Sequence, residues 1–455
     1  MAKTFAMKPK SVSLVNTPYR KIKTKIPVPE SLPILESLRL HEPISMTGQP
    51  LVLWDHAQGA AVYDKWGNQW IDWSSGVLIA NAGHNHPRIN QAIIEQARHG
   101  LLTSYCFPNE PRNRLAELLV KVTPDKLSKA FILTTGAETV ECALKLMRTY
   151  GLKKGGKNKI TVVSFEKAFH GRTLGAQMLG GIPVLKEWIV NLDPAIVQIP
   201  FPDGFRNPDT SFSSFEKALA EKNIDPAGVA GVITETYQGG GASFAPKEYM
   251  QELRKWCDRY DVLLTLDEVQ AAFGRCGKMF GFEHYEIVPD MICLGKGISS
   301  CLPISAVLGR EDVMNLYGPN EMTSTHTGNP ICAAAAVANI NAIIEEGIPE
   351  HAAKMGDILH RGLAGLKDKY NDNIGAVHGK GMVAGLHIVK SGSTEPDGEL
   401  AWEIVNACVE KGVLMFAPVG FGGATVKVNP PLVIEKGALL EGLSVLDEAF
   451  EECLQ

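Results

Sequence analysis

Polar residues of a kind that could do chemistry follow several short apolar runs in this sequence. Lys296 follows the run 292–294, Asp267 lies at the end of the run 261–268, and Glu235 follows the run 228–234. A charged group at the end of a buried strand is poorly solvated and needs compensation. If the strands are parallel, the lysine and the carboxylates could face one shared crevice. On position alone Lys296 could also be an ordinary strand-end lysine that reaches for solvent.

Two other stretches supply parts of a binding site for one particular cofactor. In "TTGAE", Gly136 and Ala137 begin a helix directly after a strand, where N–H groups favour a phosphate. In "KAFHGRT", Phe169 offers a flat surface and Arg172 a bidentate clamp for a carboxylate. The buried carboxylate could pair with a protonated ring nitrogen, and the strand-end lysine could form an imine. Together these parts predict pyridoxal 5′-phosphate as the cofactor.

Two patterns imitate other kinds of site, and we exclude both. "GLKKGGKN" (151–158) matches G-x-x-x-x-G-K but ends in Asn158, where a P-loop needs Ser or Thr, and it follows a helix rather than a strand. His84 and His86 lie two residues apart without a convincing third ligand, so no metal is expected. No G-x-G-x-x-G follows any strand, which removes a simple dinucleotide site.

The composition limits the possible partners and the compartment. The chain has 455 residues, is 45% hydrophobic and carries a net charge of −5, so neither nucleic acid nor a membrane is an expected partner. Nine scattered cysteines without a CxxC pair suit a reducing compartment, and we expect a cytoplasmic location. The first 28 residues carry seven basic side chains and no acid. A mitochondrial presequence is one interpretation, but the dominance of lysine and the prolines favour an extended basic arm over a neighbouring surface.

Apolar runs that alternate with helical patterns indicate the fold. The runs are 129–135, 159–165, 228–234, 261–268, 291–295 and 304–309. They predict an α/β fold with a mostly parallel sheet between layers of helices. Residues 51–75 predict a β-hairpin that turns at Trp66-Gly67-Asn68. We therefore predict an N-terminal arm and hairpin at 1–75, a large domain at 76–330 and a smaller α+β domain at 331–455.

The stretch "LDEVQAAFGRCGKMFGFEHYEIVPDMICLGKGIS" (266–299) resembles the signature of class III, fold-type I aminotransferases, which depend on pyridoxal phosphate. Similarity extends over most of the chain, through "THTGNP" (325–330) to "KVNPPLVI" (427–434). The resemblance implies a large domain with a seven-stranded sheet. It also implies a homodimer, or a tetramer built from dimers, with the active sites at the subunit interface.

The resemblance assigns a role to individual residues. Lys296 matches the imine-forming lysine, and Asp267 matches the partner of the pyridine nitrogen. Val269 resembles the apolar residue beneath the ring, and Gln270 resembles a residue near the 3-hydroxyl group. The other implied cofactor-binding residues are Gly136, Ala137, Phe169, Glu235 and Thr325, the last reaching the phosphate from the other subunit. The implied substrate-binding residues are Val77, Arg172 and Lys427.

Two departures from the family pattern bear on the substrate. In the 4-aminobutyrate and ornithine branch, a glutamate pairs with a C-terminal arginine and switches between substrates. Here Gly240 stands at the position of the glutamate, and Lys427 stands in the place of the arginine. We expect an aminotransferase that moves an amino group from a 4-aminobutyrate- or taurine-like ω-amino acid to 2-oxoglutarate or pyruvate by a ping-pong mechanism. A racemase, decarboxylase or lyase remains an alternative because it would share every cofactor residue, whereas a non-enzymatic binding protein would need a broken site.

Overall fold

The computed structural model describes residues 3–455. Its α-helices are α1 (Leu32–His41), α2 (Ser75–Leu78), α3 (Pro87–His99), α4 (Glu110–Val122), α5 (Gly136–Gly155), α6 (Leu174–Leu179), α7 (Ser213–Glu221), α8 (Lys247–Arg259), α9 (Glu311–Met314), α10 (Pro330–Glu345), α11 (Ile348–Lys369), α12 (Gly398–Glu410) and α13 (Lys436–Cys453). Its strands are β1 (Val15–Asn16), β2 (Lys21–Ile22), β3 (His56–Gln58), β4 (Ala61–Tyr63), β5 (Gln69–Asp72), β6 (Lys129–Leu133), β7 (Thr161–Phe165), β8 (Ile196–Ile199), β9 (Val229–Glu235), β10 (Tyr237–Gln238), β11 (Ser243–Phe244), β12 (Leu263–Asp267), β13 (Met291–Leu294), β14 (Ser305–Gly309), β15 (Ile374–Lys380), β16 (Val383–Ile388), β17 (Val413–Leu414) and β18 (Thr425–Val428).

The chain divides into two compact units. The large unit is Pro87–Glu350, and the split unit joins the described residues up to His86 with His351–Gln455. These divisions follow residues 86 and 350, whereas the sequence placed the boundaries at 75 and 330. Helix α10 accounts for the second difference, because it packs against α3 and α4 of the large unit.

A seven-stranded sheet with the order β6-β14-β13-β12-β9-β7-β8 forms the centre of the large unit. Neighbouring strands are parallel, except that β14 is antiparallel to both β13 and β6. Each apolar run that predicted a sheet strand overlaps one of these strands, so the predicted α/β fold is confirmed. Strands β9 and β12 are buried at every position, as continuous apolar runs require when helices cover both faces.

Helix α5 follows the edge strand β6 and begins at Gly136. Its start is fixed by a capping box, in which Thr135 Oγ1 accepts the N–H of Glu138 and the Glu138 carboxylate accepts the N–H of Thr135. Val140, Ala143 and Met147 are fully buried against the sheet. These residues are spaced i, i+3 and i+7 and therefore lie on one face of α5, which packs on the sheet.

The split unit contains two smaller sheets. One has the order β1-β2-β5-β4-β3 with β17 beside β5, and the other has the order β15-β16-β18. The predicted hairpin is β4 with β5, whose register pairs Tyr63 with Gln69. Asp64 closes its turn because Oδ1 accepts the N–H groups of Trp66 and Asn68, both at 2.9 Å.

The basic N-terminal segment is extended and packs within the split unit. Lys10 pairs with Ile26 through both backbone groups, and Lys10 Nζ lies 2.8 Å from Glu410 Oε2. Arg20 Nε lies 2.5 Å from Glu441 Oε1. Two of the basic side chains that the sequence places in this arm, Lys10 and Arg20, therefore contact acidic side chains of helices α12 and α13.

Among the described residues, no single helix has both the length and the apolar character that a membrane crossing requires. One bent pair of helices, Pro330–Glu345 with Ile348–Lys369, is long and apolar enough when the two helices are taken together. This agreement concerns length and composition only.

Candidate active site

One cavity of the large unit lies at the carboxyl ends of the central strands. Strand β9 ends at Glu235, β12 ends at Asp267, and β13 is followed by Gly295 and Lys296. The register pairs Asp267 with Glu235 on one side and with Cys293 on the other, so these ends share one edge of the sheet. The cavity is lined by Gly136, Ala137, Phe169, His170, Gly171, Glu235, Tyr237, Asp267, Val269, Gln270, Ala271 and Lys296. The structure therefore brings together every predicted cofactor-binding residue except Thr325.

Lys296 begins a short 3₁₀ turn, Lys296–Ile298, with a left-handed φ of 43°. The turn is held from behind by Asn339 of α10, whose Nδ2 donates to the carbonyls of Gly297 at 2.8 Å and Ile298 at 2.9 Å. Burial lowers the pKa of Lys296, although the charges of Asp267 and Glu235 oppose this shift. A lysine whose pKa is lowered by desolvation is suited to attack a carbonyl carbon as a neutral amine.

The backbone at the start of α5 comes very close to the strand ends. A Cβ atom at Gly136 would lie 2.8 Å from Val269 Cγ1, and one at Gly295 would lie 3.2 Å from the same atom. Only glycine fits at Gly136 without a shift of Val269. The first N–H groups of α5 have no partner within the helix, and they lie beside the cavity that Gly136 and Ala137 line. This end of the cavity is suited to an anionic group.

Asp267 is bonded through both carboxylate oxygens. His170 Nδ1 lies 2.8 Å from Oδ2, and the N–H of Val269 donates to Oδ1 at 3.1 Å. Burial by itself would lower the pKa of His170, but the hydrogen bond and the charge of Asp267 outweigh it, so the pKa is raised. His170 was not among the residues predicted from the sequence. The available signal was its position directly after Phe169, in a stretch already assigned to the site.

Glu235 holds two loops at the edge of the cavity. Its Oε2 accepts the N–H of Phe169 at 2.9 Å, and its Oε1 accepts the N–H of Gly239 at 2.8 Å. Burial raises the pKa of Glu235 to about 7. A Cβ atom at Gly239 would lie 2.2 Å from Gln270 Nε2, so glycine is needed there for Gln270 to enter the cavity.

Arg172 and Thr325 lie outside this lining. The Arg172 guanidinium carbon lies 5.6 Å from the centre of the Phe169 ring, and the side chain is exposed. Thr325 is exposed and lines another cavity of the large unit, together with Leu133, Thr134, Glu138, Glu141, Thr323, Ser324 and His326. The role of Thr325 as a residue donated to a second subunit stays a prediction.

Val77 and Lys427 belong to the split unit. Val77 lies in a turn where four successive residues, Ser75–Leu78, have left-handed φ values of 51°, 57°, 66° and 62°. Asp72 Oδ1 accepts the N–H of Ser74 at 2.7 Å, and Ser75 Oγ donates to the Asn429 carbonyl at 2.6 Å. Lys427 is buried on β18, two residues before Asn429.

The two patterns excluded from the sequence have ordinary structural roles. Residues 151–155 are the end of α5, and Gly156–Asn158 is a 3₁₀ turn. His84 Nε2 lies 2.7 Å from Asp72 Oδ2. Within residues 3–455, no group of three or more His, Cys, Asp or Glu side chains could hold a metal ion.

The residues around Lys296 fit pyridoxal 5′-phosphate. The glycine at 136 leaves room beside Val269, and the helix start beside it suits the phosphate. Phe169 can cover one face of the ring, and Val269 can support the other. Asp267 keeps lone pairs on oxygens that are already oriented by His170 and Val269, so a protonated ring nitrogen can bond to it.

Comparisons with known proteins identify the family of the chain. The aminotransferase class-III family matches residues 45–450. The 4-aminobutyrate aminotransferase of Mycobacterium leprae is 34% identical over 442 residues, which are 94% of this chain and 97% of that protein. The alanine/serine racemase of Pyrococcus horikoshii is 30% identical and covers 99% of this chain and 96% of its own length.

The solved structures of transaminases share the fold. An amine transaminase from an uncultivated Pseudomonas species, in its pyridoxal-phosphate-bound form, has a TM-score of 0.82 and 27% identity over 88% of this chain and 95% of its own. The family match and the relatives above 30% identity cover nearly the whole sequence. The chain belongs to the class-III aminotransferases, enzymes whose cofactor is pyridoxal 5′-phosphate.

Proposed function

We propose that this protein moves an amino group from a 4-aminobutyrate- or taurine-like ω-amino acid to a keto acid such as 2-oxoglutarate or pyruvate, by a ping-pong mechanism. The observation that carries the proposal is the position of Arg172. Its exposed guanidinium lies 5.6 Å from the ring of Phe169, which itself lines the cavity around Lys296. A guanidinium there can bind a terminal carboxylate or sulfonate through two parallel charge-assisted hydrogen bonds.

Lys296 and Asp267 are the proposed catalytic residues. When bound, the cofactor supplies a ring that accepts the electron pair left on the substrate's α-carbon after proton removal. Lys296, with its lowered pKa, takes the proton from that carbon as a general base. Asp267 holds a proton on the ring nitrogen through an ion-paired hydrogen bond, and its burial excludes water that would weaken the pair.

The donor is tested with a panel of amines assayed against pyruvate and against 2-oxoglutarate. The panel includes 4-aminobutyrate, taurine and an uncharged amine of similar length, such as 1-aminobutane. The proposal expects kcat/KM to be higher for the two acidic donors than for the uncharged amine. Equal turnover of the charged and uncharged donors would contradict the ω-acid assignment.

A second candidate is an amino-acid racemase or epimerase, with decarboxylases and lyases in the same group. Two observations favour it: Gly240 at the position of the switch glutamate, and the racemase relative that spans nearly the whole chain. A racemase returns the proton to the α-carbon, so it needs no keto acid. With amine alone, an aminotransferase accumulates pyridoxamine phosphate, whereas a racemase interconverts enantiomers and leaves the cofactor spectrum unchanged.

We further propose that the enzyme is a homodimer in the cytoplasm, with Thr325 completing the phosphate site of the partner. Thr325 is exposed and lies outside the cavity around Lys296 of its own chain, which supports a dimer with a shared phosphate site. The nine cysteines, all within the described residues, are free thiols, which supports a reducing compartment. Sedimentation of the wild type and of Thr325→Ala, together with cofactor affinity, tests the shared site: the variant should stay dimeric and bind cofactor more weakly.

A further inference from the structure

His170 is a buried histidine that the proposed reaction does not use. It is 3% exposed and lies between Phe169 and Gly171 in the lining of the cavity. Its Nδ1 lies 2.8 Å from Asp267 Oδ2, across 97 residues of sequence. Because a carboxylate only accepts hydrogen bonds, Nδ1 is the donor, and this fixes the proton on that nitrogen.

The other nitrogen of the ring has no role in the fold. Among the residues that the structure describes, none forms a hydrogen bond with His170 Nε2, which is buried. A buried polar atom without a partner costs free energy, so packing alone would favour an apolar side chain here. The bond to Asp267 is therefore the interaction that accounts for a histidine at this position.

The charges around the ring explain why a donor is useful to Asp267. Asp267 and Glu235 face His170 from β12 and β9, and their charges act on it together. Lys296 is the nearby cation, and its charge interacts with the same two carboxylates. When the lysine is neutral, a protonated His170, with Nδ1 2.8 Å from Asp267 Oδ2, can offset the negative charge of Asp267.

We infer that His170 is a positioning residue that orients the Asp267 carboxylate toward the ring nitrogen of the cofactor. His170 holds Oδ2 from one side while the N–H of Val269 holds Oδ1. The Asp267 side chain then has one arrangement before the cofactor binds, and no ordering cost arises on binding. This inference rests on the proposed role of Asp267 and is independent of which amine is the donor.

The test compares two substitutions of His170, one that keeps a hydrogen-bond donor to Asp267 and one that removes it. In His170→Asn the amide nitrogen stands near the position of Nδ1, so the bond to Asp267 is kept without the charge. In His170→Leu the donor is lost and the volume is roughly kept. Protein freed of cofactor is titrated with pyridoxal 5′-phosphate, and the dissociation constant and the pH titration of the visible band are measured.

The two variants should differ in their affinity for the cofactor. Loss of a hydrogen bond to a charged group gives about a 10- to 100-fold weaker cofactor binding in His170→Leu. His170→Asn should stay within about threefold of the wild type, because the donor remains. His360→Leu is the matched control: His360 Nε2 donates to the Gly381 carbonyl at 3.1 Å within the split unit, and cofactor binding should not change.

A double-mutant cycle with Asp267→Asn separates positioning from packing. If His170 acts through Asp267, His170→Leu should weaken binding by less than about twofold in the Asp267→Asn background. An equal loss in both backgrounds would mean that His170 only fills space and would overturn the inference. If Asp267→Asn alone changed neither the cofactor affinity nor the pH titration of the visible band, the role assigned to Asp267 would be wrong, and the inference about His170 would be wrong with it. Should His170→Leu not fold, His170→Gln replaces it, because its longer amide cannot place a donor at Nδ1 and the same loss is expected.

Discussion

Asp267 and Glu235 are register partners at the ends of neighbouring parallel strands, and they hold two consecutive residues of a third segment. Glu235 accepts the N–H of Phe169 at 2.9 Å, and Asp267 bonds the ring of His170 at 2.8 Å. The aromatic surface and the carboxylate for the ring nitrogen are therefore fixed by one dipeptide. A shift of the Phe169 loop would disturb the Asp267 carboxylate at the same time.

Lys296 should be the residue that binds the cofactor covalently. Borohydride reduction of the loaded protein should fix the cofactor to the one peptide that contains Lys296. Lys296→Ala should lose turnover by many orders of magnitude and still bind cofactor through the phosphate and ring contacts, because those groups lie on other elements. Lys278→Ala is the control, since Lys278 lies outside the cavity lining and should keep both label and turnover. A label on any other peptide would show that the lysine is wrongly assigned.

Asp267→Asn should fold normally and lose most of the activity. An amide cannot hold a proton on the ring nitrogen as a carboxylate does, and the ion-paired bond lies in a buried site. Losing it should lower kcat by on the order of a thousandfold. Asp258→Asn removes a carboxylate that is largely exposed at the end of α8 and should leave kcat unchanged. Near-normal activity of Asp267→Asn would mean that another group protonates the ring.

The sequence predicted the strand ends of the site because their signal is local. A continuous apolar run that ends in a polar residue indicates a buried parallel strand and its exit, and this is how Glu235, Asp267 and Lys296 were found. Their assembly needed only the rule that parallel strands end at one edge. The start of α5 at Gly136 was predictable for the same reason, since Gly136 directly follows the apolar run 129–135.

The parts that could not be predicted depend on contacts between distant segments. The bond of His170 to Asp267 depends on how the loop after β7 folds over β12, and no spacing in the sequence shows this. The left-handed turn Ser75–Leu78 is held by Asn429, which lies 354 residues beyond Ser75. The sequence-based division puts α10 in the smaller domain, whereas the helix packs against α3 and α4 of the large unit, because an alanine-rich pattern does not tell which helices it packs against.

The stability of the cofactor-free protein should fall as the pH rises through neutrality. Burial raises the pKa of Glu268 to about 7, although Gly281 and Phe282 each donate an N–H to its carboxylate at 2.8 Å. The folded state then holds this proton more tightly than the unfolded chain does. Its contribution is complete below the ordinary pKa of 4.5 and is lost as the pH rises through about 7. One such group changes the free energy of unfolding by up to about 1.4 kcal/mol per pH unit.

Urea unfolding of Glu268→Gln between about pH 5 and pH 8 measures this contribution. A glutamine does not bind this proton in either the folded or the unfolded state, so the part of the pH dependence due to Glu268 is lost. The variant should be less stable overall and show a smaller slope with pH than the wild type. The slope should not vanish, because Glu235 and His170 also have raised pKa values and act in the same direction. Glu138→Gln is the control: hydrogen bonds from Thr134 and Thr135 outweigh burial and lower the pKa of Glu138, so its contribution is lost only in acid. Equal slopes in the wild type and Glu268→Gln would show that Glu268 titrates normally.

Val77→Gly should make the protein more stable. A β-branched residue at a φ of 66° is strained, and glycine adopts this conformation without steric cost. The relief should exceed the entropy cost of glycine, for a net gain of about 0.5–1 kcal/mol in the free energy of unfolding. Ile44→Gly is the control, because Ile44 is exposed in an ordinary 3₁₀ turn and should lose about 0.5–1 kcal/mol. A loss of stability in Val77→Gly would mean that the side chain is held by contacts worth more than the strain.

Arg172→Lys tests the proposed recognition of an acidic donor. The change keeps the positive charge and removes the planar fork that binds a carboxylate or sulfonate through two bonds. For 4-aminobutyrate or taurine, kcat/KM should fall by tens- to a hundredfold. This corresponds to a loss of about 2–3 kcal/mol of transition-state stabilisation. An uncharged amine of similar length should be affected little, because it has no terminal acid to bind.

The comparison of donors separates recognition from support of the Phe169 loop. The guanidinium lies 5.6 Å from the Phe169 ring, so Arg172 could also stabilise the aromatic surface by a cation–π contact. Loss of that contact would act on every substrate, because every substrate needs the cofactor held in place. The two donor types should then decline together, and cofactor affinity should fall as well. An equal decline would remove the ω-acid assignment and favour a racemase or a general amine transaminase. A selective decline for the acidic donors, with unchanged cofactor affinity, would instead place the terminal acid group at Arg172.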